Sequence, residues 1–451
     1  MIGAGALYAI LVQPVVSADD VPTVDEWRVD LDWLAERIEQ QHPNAFATMH
    51  RSDFEAAISK LRNDIPNLQP HEIAVRMMQL AALVGDGHTR MHLPQPHLDH
   101  GPSKSLGFHR LPVTFYQFSD GLFIRAVDEA HKELAGSKVL RIGHVAADEA
   151  MQAVAALVHT TTTVRKGNIS LEKAIEPLDT TDPPRNTSRI LDWGPWYLSI
   201  PEILHALTLV DSIEQIPLEL EHRDGSQQTI ALTPIRLGEE IEWIDVATPK
   251  GGADPLRQPL YLRHPEKNFW FEYLADERVV YAKYNRVLSR KGNSIYSFRN
   301  ELFEFIDNNP VDKLVIDVRN NGGGNNNLNR TLLREIIIRN EELNHRGKLF
   351  CIIGRQTFSA AMNFVNSLER WTNAIFVGEP TAGAPNHFGD AETIRLPNSR
   401  LTGSVSTRYW QDSKPRESRP WIRPDIPVQL SSEDFRDNHD PVLQAILDWE
   451  K

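Results

Sequence analysis

The stretch from Lys348 to Arg370 constrains the fold most, because a buried strand and an amphipathic helix meet within it. The continuous apolar run over 349–353, bounded by Gly354, is typical of a strand in the interior of a sheet. After a short polar turn, apolar residues recur on one helix face: Ala360, Ala361, Phe364 and Leu368. Ser359 therefore lies where the strand ends and the helix begins, beside the free amides of the first helical turn.

Two interpretations of Ser359 follow from that position. Serine is among the commonest residues at a helix N-cap, where its hydroxyl accepts a hydrogen bond from a backbone amide. A nucleophilic serine is also well placed there, because the helix amides can hold the oxyanion that its attack produces. The Gly-x-Ser-x-Gly elbow of many hydrolases is absent, so this stretch alone favours the N-cap.

Strands alternate with helices over the segment 268–451, which we interpret as one α/β domain. The expected order is a hairpin, a helix, a strand, a glycine-rich turn, a second helix, and then the strand and helix around Ser359. Such alternation predicts a parallel sheet with right-handed crossovers. The expected strands lie at 269–274, 279–285, 313–317, 349–353 and 374–377, and the expected helices include 295–306 and 328–338.

The segment 19–100 is predicted to be a helical domain of about three helices. Ser52 and Glu55 have the spacing of a capping box, and Pro70 stands where a first helical residue is expected. The first helix shows its apolar face at Trp27, Leu31, Leu34 and Ile38.

The segment 101–165 is predicted to be a small β-rich module, and 166–267 a linker followed by further β structure. Ser119-Asp120-Gly121 is a hairpin signal between two strands of the module. A module of this kind could bind an extended peptide along a strand edge, or it could be a structural insert. The expected strands lie at 113–118, 122–126, within 135–143, and in a hairpin over 216–235, while 160–188 is expected to be a loop.

The first 18 residues are typical of the hydrophobic part of a secretory signal. The run is short for a membrane span and is interrupted by Pro14, and Val16-Ser17-Ala18 fits a small-residue cleavage site. A basic segment before the apolar run is missing, since the first Lys or Arg is Arg28. We expect an exported protein, periplasmic or extracellular, without stable membrane insertion.

Composition excludes several classes of function. The chain has 451 residues, enough for two to four domains, and a net charge of −13 with no long basic stretch, so nucleic acid is not an expected partner. The single cysteine, Cys351, lies in an apolar strand, which leaves no disulfide or cysteine-metal framework. His88 and His92 are four residues apart, but a Glu between them is missing and prolines follow. We predict neither a metal nor a cofactor.

A glycine-rich turn follows the strand at 313–317, with the sequence Asp317-Val318-Arg319-Asn320-Asn321-Gly322-Gly323-Gly324-Asn325. Glycines allow a close approach of the backbone to a ligand, and successive amides there can bind an anion. The Gly-Lys-Ser/Thr ending of a phosphate loop is absent, and a plain turn is the simpler interpretation of this motif alone. In a parallel sheet, however, this turn and Ser359 both follow strand ends and are expected to face one crevice.

Four motifs occur in the order seen in the C-terminal-processing (tail-specific) serine proteases, and a fifth is similar to that family. They are Asp-Val-Arg-Asn-Asn-Gly-Gly-Gly (317–324), Thr-Phe-Ser-Ala-Ala (357–361), Val-Gly-Glu-Pro-Thr-Ala-Gly (377–383), Arg-Pro-Asp-Ile-Pro-Val (423–428) and Gly-Asp-Gly-His-Thr (85–89). The resemblance implies a ClpP/crotonase-like core and a PDZ-like module in the 101–165 region. It also implies Ser359 as nucleophile, with oxyanion donors from Ala360 and Gly323 or its neighbour Gly322.

The chain departs from the Ser-Lys members of that family, because their lysine falls in the segment matching 377–383, which has none here. The resemblance is closer to the tricorn-like branch, which implies His88 as the base and Glu417 as the residue that orients it. Glu379 is the alternative orienter. Tricorn-like enzymes carry a serine just before the histidine, where this chain has Gly87.

The resemblance thus predicts a serine peptidase acting on peptides or unfolded proteins, at C-terminal tails or on short peptides. The family includes monomers and large rings, which leaves a homo-oligomer open. One alternative is a catalytically inactive, peptidase-like protein that binds a ligand or peptide, which the missing lysine favours. Another is an acyl-CoA enzyme of the crotonase type, which would need an oxyanion hole but not Ser359.

Overall fold

The computed structural model describes residues 21–94, 106–158, 187–247, 258–339 and 341–450. The predicted signal segment and nearly all of the predicted loop at 160–188 lie outside these ranges. Among the described residues, no helix combines the length and the apolar character needed to cross a bilayer.

The N-terminal region contains the three helices that its apolar spacing predicted, and a short strand that was not predicted. Pro70 is the first residue of the third helix, as expected, but the predicted capping box is wrong. The second helix begins at Arg51 after His50, so Ser52 lies inside the helix and caps nothing. The elements are α1 (Val24–Gln41), α2 (Arg51–Asp64), α3 (Pro70–Ala82) and β1 (Arg90–Met91).

The middle region contains nine strands and three helices in its described parts. Both predicted hairpins, at 113–126 and 216–235, are present. The elements are β2 (His109–Arg110), β3 (Val113–Phe118), β4 (Gly121–Val127), β5 (Lys138–Ile142), β6 (Val145–Ala146), α4 (Ala147–Val154), α5 (Thr187–Tyr197), α6 (Pro201–Ala206), β7 (Ile216–Glu221), β8 (Gln227–Leu232), β9 (Ile235–Arg236) and β10 (Ile244–Asp245).

Strands from the two predicted segments, 101–165 and 166–267, form one sheet. Its strand order is β10-β4-β5-β7-β8, with β3 added at β4 and β6 at β5. The register pairs Val139 of β5 with Leu220 of β7, which belong to different predicted segments. A boundary at 165 therefore does not separate two structural units, because strands on either side of it share hydrogen bonds.

The C-terminal region has the predicted α/β alternation, followed by strands that the sequence did not predict. The elements are β11 (Phe269–Leu274), β12 (Val279–Tyr284), α7 (Ile295–Asn308), β13 (Lys313–Asp317), α8 (Asn329–Ile338), β14 (Leu349–Ile353), α9 (Ala360–Trp371), β15 (Ile375–Gly378), β16 (Asn386–Gly389), β17 (Glu392–Arg395), β18 (Thr402–Val405), β19 (Arg408–Gln411), β20 (Ile426–Pro427), α10 (Ser432–Arg436) and α11 (Pro441–Leu447).

The central sheet of this region has the order β11-β12-β13-β14-β15-β20. All neighbours from β12 to β20 are parallel, while β11 and β12 form the antiparallel hairpin. Helices α7, α8 and α9 pack on one face of the sheet, and α11 packs on the other. Cys351 lies fully buried in this core, as expected for a small apolar residue. Because β13 and β14 are neighbours, the glycine turn and Ser359 lie at the same edge of the sheet.

The N-terminal helices are attached to the C-terminal region through a small antiparallel sheet, β1-β18-β17. Arg90 and Met91 pair with Ser404 and Gly403. At the other end of this contact, Asp30 of α1 is fully buried and accepts hydrogen bonds from the amides of Asn398 and Ser399, at 2.8 and 2.7 Å. These contacts fix the segment before β1, which contains His88, against the α/β core.

Candidate active site

Ser359 follows β14 and a short turn, and its backbone is strained. Its φ is +54° and its ψ −126°, a conformation that non-glycine residues rarely adopt. Its side chain makes no N-cap hydrogen bond to α9, although it occupies the N-cap position. The N-cap interpretation of the serine is therefore wrong, and the strain, of order 1–3 kcal/mol, marks a residue whose position the surrounding structure enforces.

His88 lies at the hydroxyl of Ser359. Its Nε2 is 3.0 Å from Oγ of Ser359, although the two residues are 271 positions apart. The imidazole stacks on the ring of Phe358 with the centroids 4.4 Å apart, and the backbone carbonyl of His88 accepts a 2.7 Å hydrogen bond from Oγ of Ser404. The two residues that the motifs predicted as nucleophile and base are thus brought together.

The acid nearest the imidazole is Asp86, which belongs to the Gly-Asp-Gly-His-Thr motif but was not predicted to have a role of its own. One carboxylate oxygen accepts the backbone amide of His88 at 2.6 Å and lies 4.0 Å from Nδ1 of the ring. The other oxygen lies 3.0 Å from Nε2 of His42. Asp86 is 2% exposed, and burial opposes its ionisation. The hydrogen bond from His42 and the other bonds outweigh burial and hold the pKa of Asp86 below its usual value.

Burial controls the protonation of His88. The pKa of the imidazole is lowered from 6.5 to about 3, chiefly because a charged ring would lose its hydration there. Within this net shift, the negative charge of Asp86 acts to raise the pKa, while His387, Arg189 and Arg90 add to the lowering. Within the described residues, Nδ1 of His88 has no hydrogen-bond partner. The ring is therefore neutral near pH 7, and a neutral imidazole can accept a proton.

The glycine turn touches the serine directly. Gly323 has φ +108°, and a Cβ on it would lie 2.6 Å from Cβ of Ser359 and 2.9 Å from the amide nitrogen of Ala360. The amide of Gly323, however, donates to Oδ1 of Asn321 at 2.9 Å. Of the three predicted oxyanion donors, Gly323 is therefore occupied. The amides of Gly322 and Ala360 have no acceptor among the described residues.

Neither predicted orienting acid is brought to the imidazole. Glu417 forms an ion pair with Arg419 at 2.9 Å, and Glu379 is paired with Arg355. None of the contacts that the described part of the chain gives these two carboxylates involves His88. The prediction of Glu417 or Glu379 as a direct partner of the base is therefore not met by the geometry. A carboxylate two residues before the histidine was the signal that could have pointed to Asp86.

Ser359 and His88 line one cavity of about 480 Å³. Gly322 lies in the same wall, so a ligand there could reach the serine hydroxyl and a free amide together. Two arginines, Arg90 and Arg189, and one acid, Asp192, also line it. In the parts of the chain described, no three His, Cys, Asp or Glu side chains form a group that could hold a metal ion.

A serine hydroxyl beside a buried neutral imidazole, next to a glycine turn, is the arrangement of the serine-type hydrolases. Residues 279–428 match the sequence model of peptidase family S41. The chain thus carries a domain of this family, and the predicted class, a serine-type peptidase of the C-terminal-processing family, is confirmed. No curated protein matches the chain in sequence.

Two solved structures of mature CPAF, one of them complexed with lactacystin, are similar to this chain. For the lactacystin complex the TM-score is 0.57 at 12% identity, with 94% of this chain and 98% of that chain covered. For the other the values are 0.55 and 12%, with 94% and 96% covered. At such identity the likeness shows the fold alone. The photosystem II D1 C-terminal processing protease aligns over 90% of this chain at 14% identity, but its TM-score is 0.37.

Proposed function

We propose that Ser359 is the nucleophile of this peptidase and that His88 is its general base. One observation carries the proposal, the 3.0 Å separation between Nε2 of His88 and Oγ of Ser359. This is hydrogen-bonding distance for a base that removes a hydroxyl proton. The positive φ of Ser359 supports the same role, because strain of this kind persists at functional positions.

In the first step, Oγ of Ser359 forms a bond to the carbonyl carbon of the scissile peptide while its proton moves to Nε2 of His88. The carbonyl electron pair moves onto oxygen. As the tetrahedral intermediate collapses, the C–N bond breaks and the imidazolium gives its proton to the leaving amine. A water molecule then attacks the acyl ester, with His88 accepting and returning a proton, which releases the acid and restores the serine.

The amides of Gly322 and Ala360 are the proposed oxyanion donors. Gly322 lines the same cavity as Ser359. The amide of Ala360 follows Ser359 directly and belongs to the first turn of α9, where the helix dipole favours negative charge. Gly323 serves a different purpose in this scheme. Its missing side chain allows the turn to lie against the serine, and its amide holds Asn321.

Asp86 is proposed to stabilise the imidazolium that forms during the reaction. The buried carboxylate lies 4.0 Å from Nδ1 of His88, and its charge favours the protonated ring. His42, 3.0 Å away on the far side, holds the carboxylate in position. Ser359, His88 and Asp86 thus have the nucleophile, base and acid roles of a catalytic triad, with an electrostatic contact in place of a direct hydrogen bond to the ring.

We infer a peptide or unfolded-protein substrate, a ClpP/crotonase-like core and a PDZ-like module in the 101–165 region. These inferences rest on the motifs, and the α/β fold is compatible with them. The proposed relationship to the tricorn-like branch rests on two features of the sequence, the absence of a lysine in 377–383 and the presence of His88. Export of the protein rests on residues 1–18 and stays a prediction.

The test is labelling with a fluorophosphonate probe, followed by mass spectrometry of the modified peptide. Wild-type protein should be labelled at Ser359, because the probe reacts with an activated serine and its adduct mimics the tetrahedral intermediate. His88→Ala should react more slowly by a factor on the order of 10²–10⁴. Labelling elsewhere, or an unchanged rate in His88→Ala, would contradict the assignment.

A folded protein that is not labelled would instead favour the inactive binding protein. The bond between His88 and Ser359 argues against that alternative, since a site that has lost its chemistry has no need to hold a strained serine against a base. The acyl-CoA alternative predicts that Ser359→Ala still turns over an acyl-CoA thioester, although the variant has no serine for the probe to label. The peptidase proposal predicts that this variant is inactive.

A further inference from the structure

A second cavity adjoins the one that contains Ser359 and His88. Its volume is about 370 Å³, and Arg90, His92 and Trp193 line both cavities. The rest of its wall includes Arg110, Trp196 and Tyr197. A ligand held at the serine could therefore extend past this common wall into a basic, aromatic pocket.

Arg110 is the unusual residue of this pocket. Its guanidinium carbon lies 4.3 Å from the ring centroid of Trp243 and 5.5 Å from that of Trp196. Its Nε is buried and has no hydrogen-bond partner, and no carboxylate of the described ranges forms an ion pair with it. Stacking on indole rings fixes the plane of a guanidinium but does not satisfy its donors. A buried donor of this kind costs free energy until an acceptor reaches it.

Most arginines of the neighbouring cavity are paired. Of the four that line the cavity on the opposite side of Asn320 and Gln356, three have a carboxylate partner among the described residues, and Arg286 is the exception. The pairs are Arg125 with Asp245 at 3.0 Å, Arg319 with Asp440 at 2.9 Å, and Arg355 with Glu379 at 2.9 Å. The whole chain has 61 acidic and 48 basic residues, so acids are not scarce. An arginine beside the active site without such a partner is therefore a candidate for binding an anionic ligand.

We propose that this pocket is a carboxylate subsite of the peptidase, in which Arg110 binds an acidic group of the peptide substrate. The inference rests on the proposed function, since it places the pocket beside the bond to be cut. A guanidinium matches a carboxylate with two parallel hydrogen bonds, and the indole walls can pack on the methylenes of the same residue. An Asp or Glu side chain and a free C-terminal carboxylate share this chemistry.

The test uses pools of fluorogenic peptides that differ at one fixed position, Glu in one pool and Gln in its pair. Each pool is made with a free C-terminal carboxylate and with a carboxamide. Wild-type protein should cleave the charged member of one such pair with a kcat/KM at least about tenfold higher, as expected for a charge-assisted hydrogen bond. The pair that shows the preference identifies the source of the carboxylate, a side chain or the C-terminus.

Arg110→Met should bring that ratio to about 1, and Arg110→Lys should reduce it at least about threefold, since lysine keeps the charge but loses the planar fork. The matched control is Arg37→Met. Arg37 lies 4.9 Å from the ring of Trp33 on α1, so the control removes an equal charge from a similar stack elsewhere, and the ratio should stay at its wild-type value. Thermal melting of each variant verifies the fold, and if Arg110→Met does not fold, the lysine variant carries the test.

Three outcomes would overturn the subsite. The first is that wild-type protein cleaves the charged and uncharged members of every pair equally well. The second is that both Arg110 variants keep the wild-type ratio of the two kcat/KM values. The third is that Arg37→Met loses this ratio as well. The fluorophosphonate reaction separates this failure from failure of the proposed function. If wild-type protein is labelled at Ser359 but shows no charge preference, only the subsite proposal fails. If folded protein is not labelled, the proposed mechanism fails.

Discussion

Ser359 and His88 are held by two regions that are built differently. Ser359 follows the third of three adjacent, nearly fully buried parallel strands, and its turn is fixed by a bond from the amide of Phe358 to the carbonyl of Asn321, at 3.0 Å. His88 precedes a strand of two residues, and polar contacts hold its segment: Asp86 with His42, and Ser404 with the His88 carbonyl. Apolar burial places Ser359, while long-range hydrogen bonds place His88.

This difference has a consequence for stability and activity. Removing apolar contacts under Ser359 would threaten the whole domain, because the sheet and its helices share one core. Removing a polar contact near His88 should change the distance between the base and the serine while much of the fold persists. The predictions that follow test the two regions, from the largest expected effect to the smallest.

Ser359→Ala should lower kcat/KM by about 10³-fold or more, because the attacking oxygen is lost. Its melting temperature should stay close to that of wild type, since a single hydroxyl in a cavity is removed. The matched control is Ser367→Ala on α9, whose hydroxyl bonds only the carbonyl of Asn363 at 2.8 Å within the described contacts. If Ser359→Ala turned over peptide at the wild-type rate, Ser359 could not be the nucleophile.

Gly323→Ala should lower activity by about 10²-fold, because its new Cβ would lie 2.6 Å from Cβ of Ser359 and displace an oxyanion-hole element. Gly225→Ala is the control. It has a similar positive φ of +82° but no atom within 4 Å of the new Cβ, so it adds the backbone strain without the clash. Kinetics of both variants with one peptide measure the difference. Equal losses would show that backbone strain, and not contact with the serine, is responsible.

The pH profile should report on the base. Since burial lowers the pKa of His88 to about 3, the labelling rate should stay high as the pH falls below the ordinary 6.5 of histidine. Asp86→Asn should lower the rate about tenfold and move the acid limb to still lower pH, because the Asp86 charge raises that pKa. An acid limb near 6.5 in wild-type protein would contradict the buried, neutral imidazole.

The lowered pKa of His88 also makes the free energy of unfolding depend on pH. The pKa of His88 is lower in the folded than in the unfolded chain, so the unfolded chain binds an extra proton below about 6.5. The stabilisation from keeping His88 neutral is therefore complete above that pH and is lost progressively as the pH falls toward about 3. Urea unfolding of wild type and His88→Gln at several pH values in this window measures it.

Asp30→Ala should reduce stability by about 1–3 kcal/mol, because two backbone amides lose their buried acceptor. Activity should fall only a few-fold, as the contact between α1 and the loop before β18 loosens. Asp25→Ala on the same helix is the control, since Asp25 is 90% exposed and pairs only with Arg28 at 3.2 Å in the described structure. An equal effect of both variants would assign the loss to the helix and not to this contact.

Glu417→Gln should change kcat/KM by no more than about twofold, because its carboxylate forms a partly exposed ion pair with Arg419 and, among the described contacts, makes none with His88. Arg419, its partner, also pairs with Glu369 at 2.8 Å, so the local structure has a second support. A large loss of activity in Glu417→Gln, with Asp86→Asn unaffected, would restore Glu417 as the acid that acts on His88.

The sequence by itself determined the elements that have a strong period. Continuous apolar runs predicted β13, β14 and β15, helical spacing predicted α1, α3 and α7, and the order of strands and helices predicted the parallel sheet. From that topology it followed that the glycine turn and Ser359 meet at one edge, since neighbouring parallel strands end on the same side. Each of these inferences needs information from a few adjacent residues.

Tertiary structure alone decided what reaches that edge. β1 and its partner β18 have two and four residues, too few for a periodic signal, and yet their pairing carries His88 across 271 positions to Ser359. Likewise, Asp86 and not Glu417 lies beside the imidazole, because hydrogen bonds between distant side chains leave no trace in local spacing. Local hydrophobic patterns placed Ser359 at the junction of a strand and a helix, and the motifs predicted Ser359 and His88 as a pair. The approach of these two side chains, and the place of Asp86 beside the imidazole, depended on contacts that form only when the chain is folded.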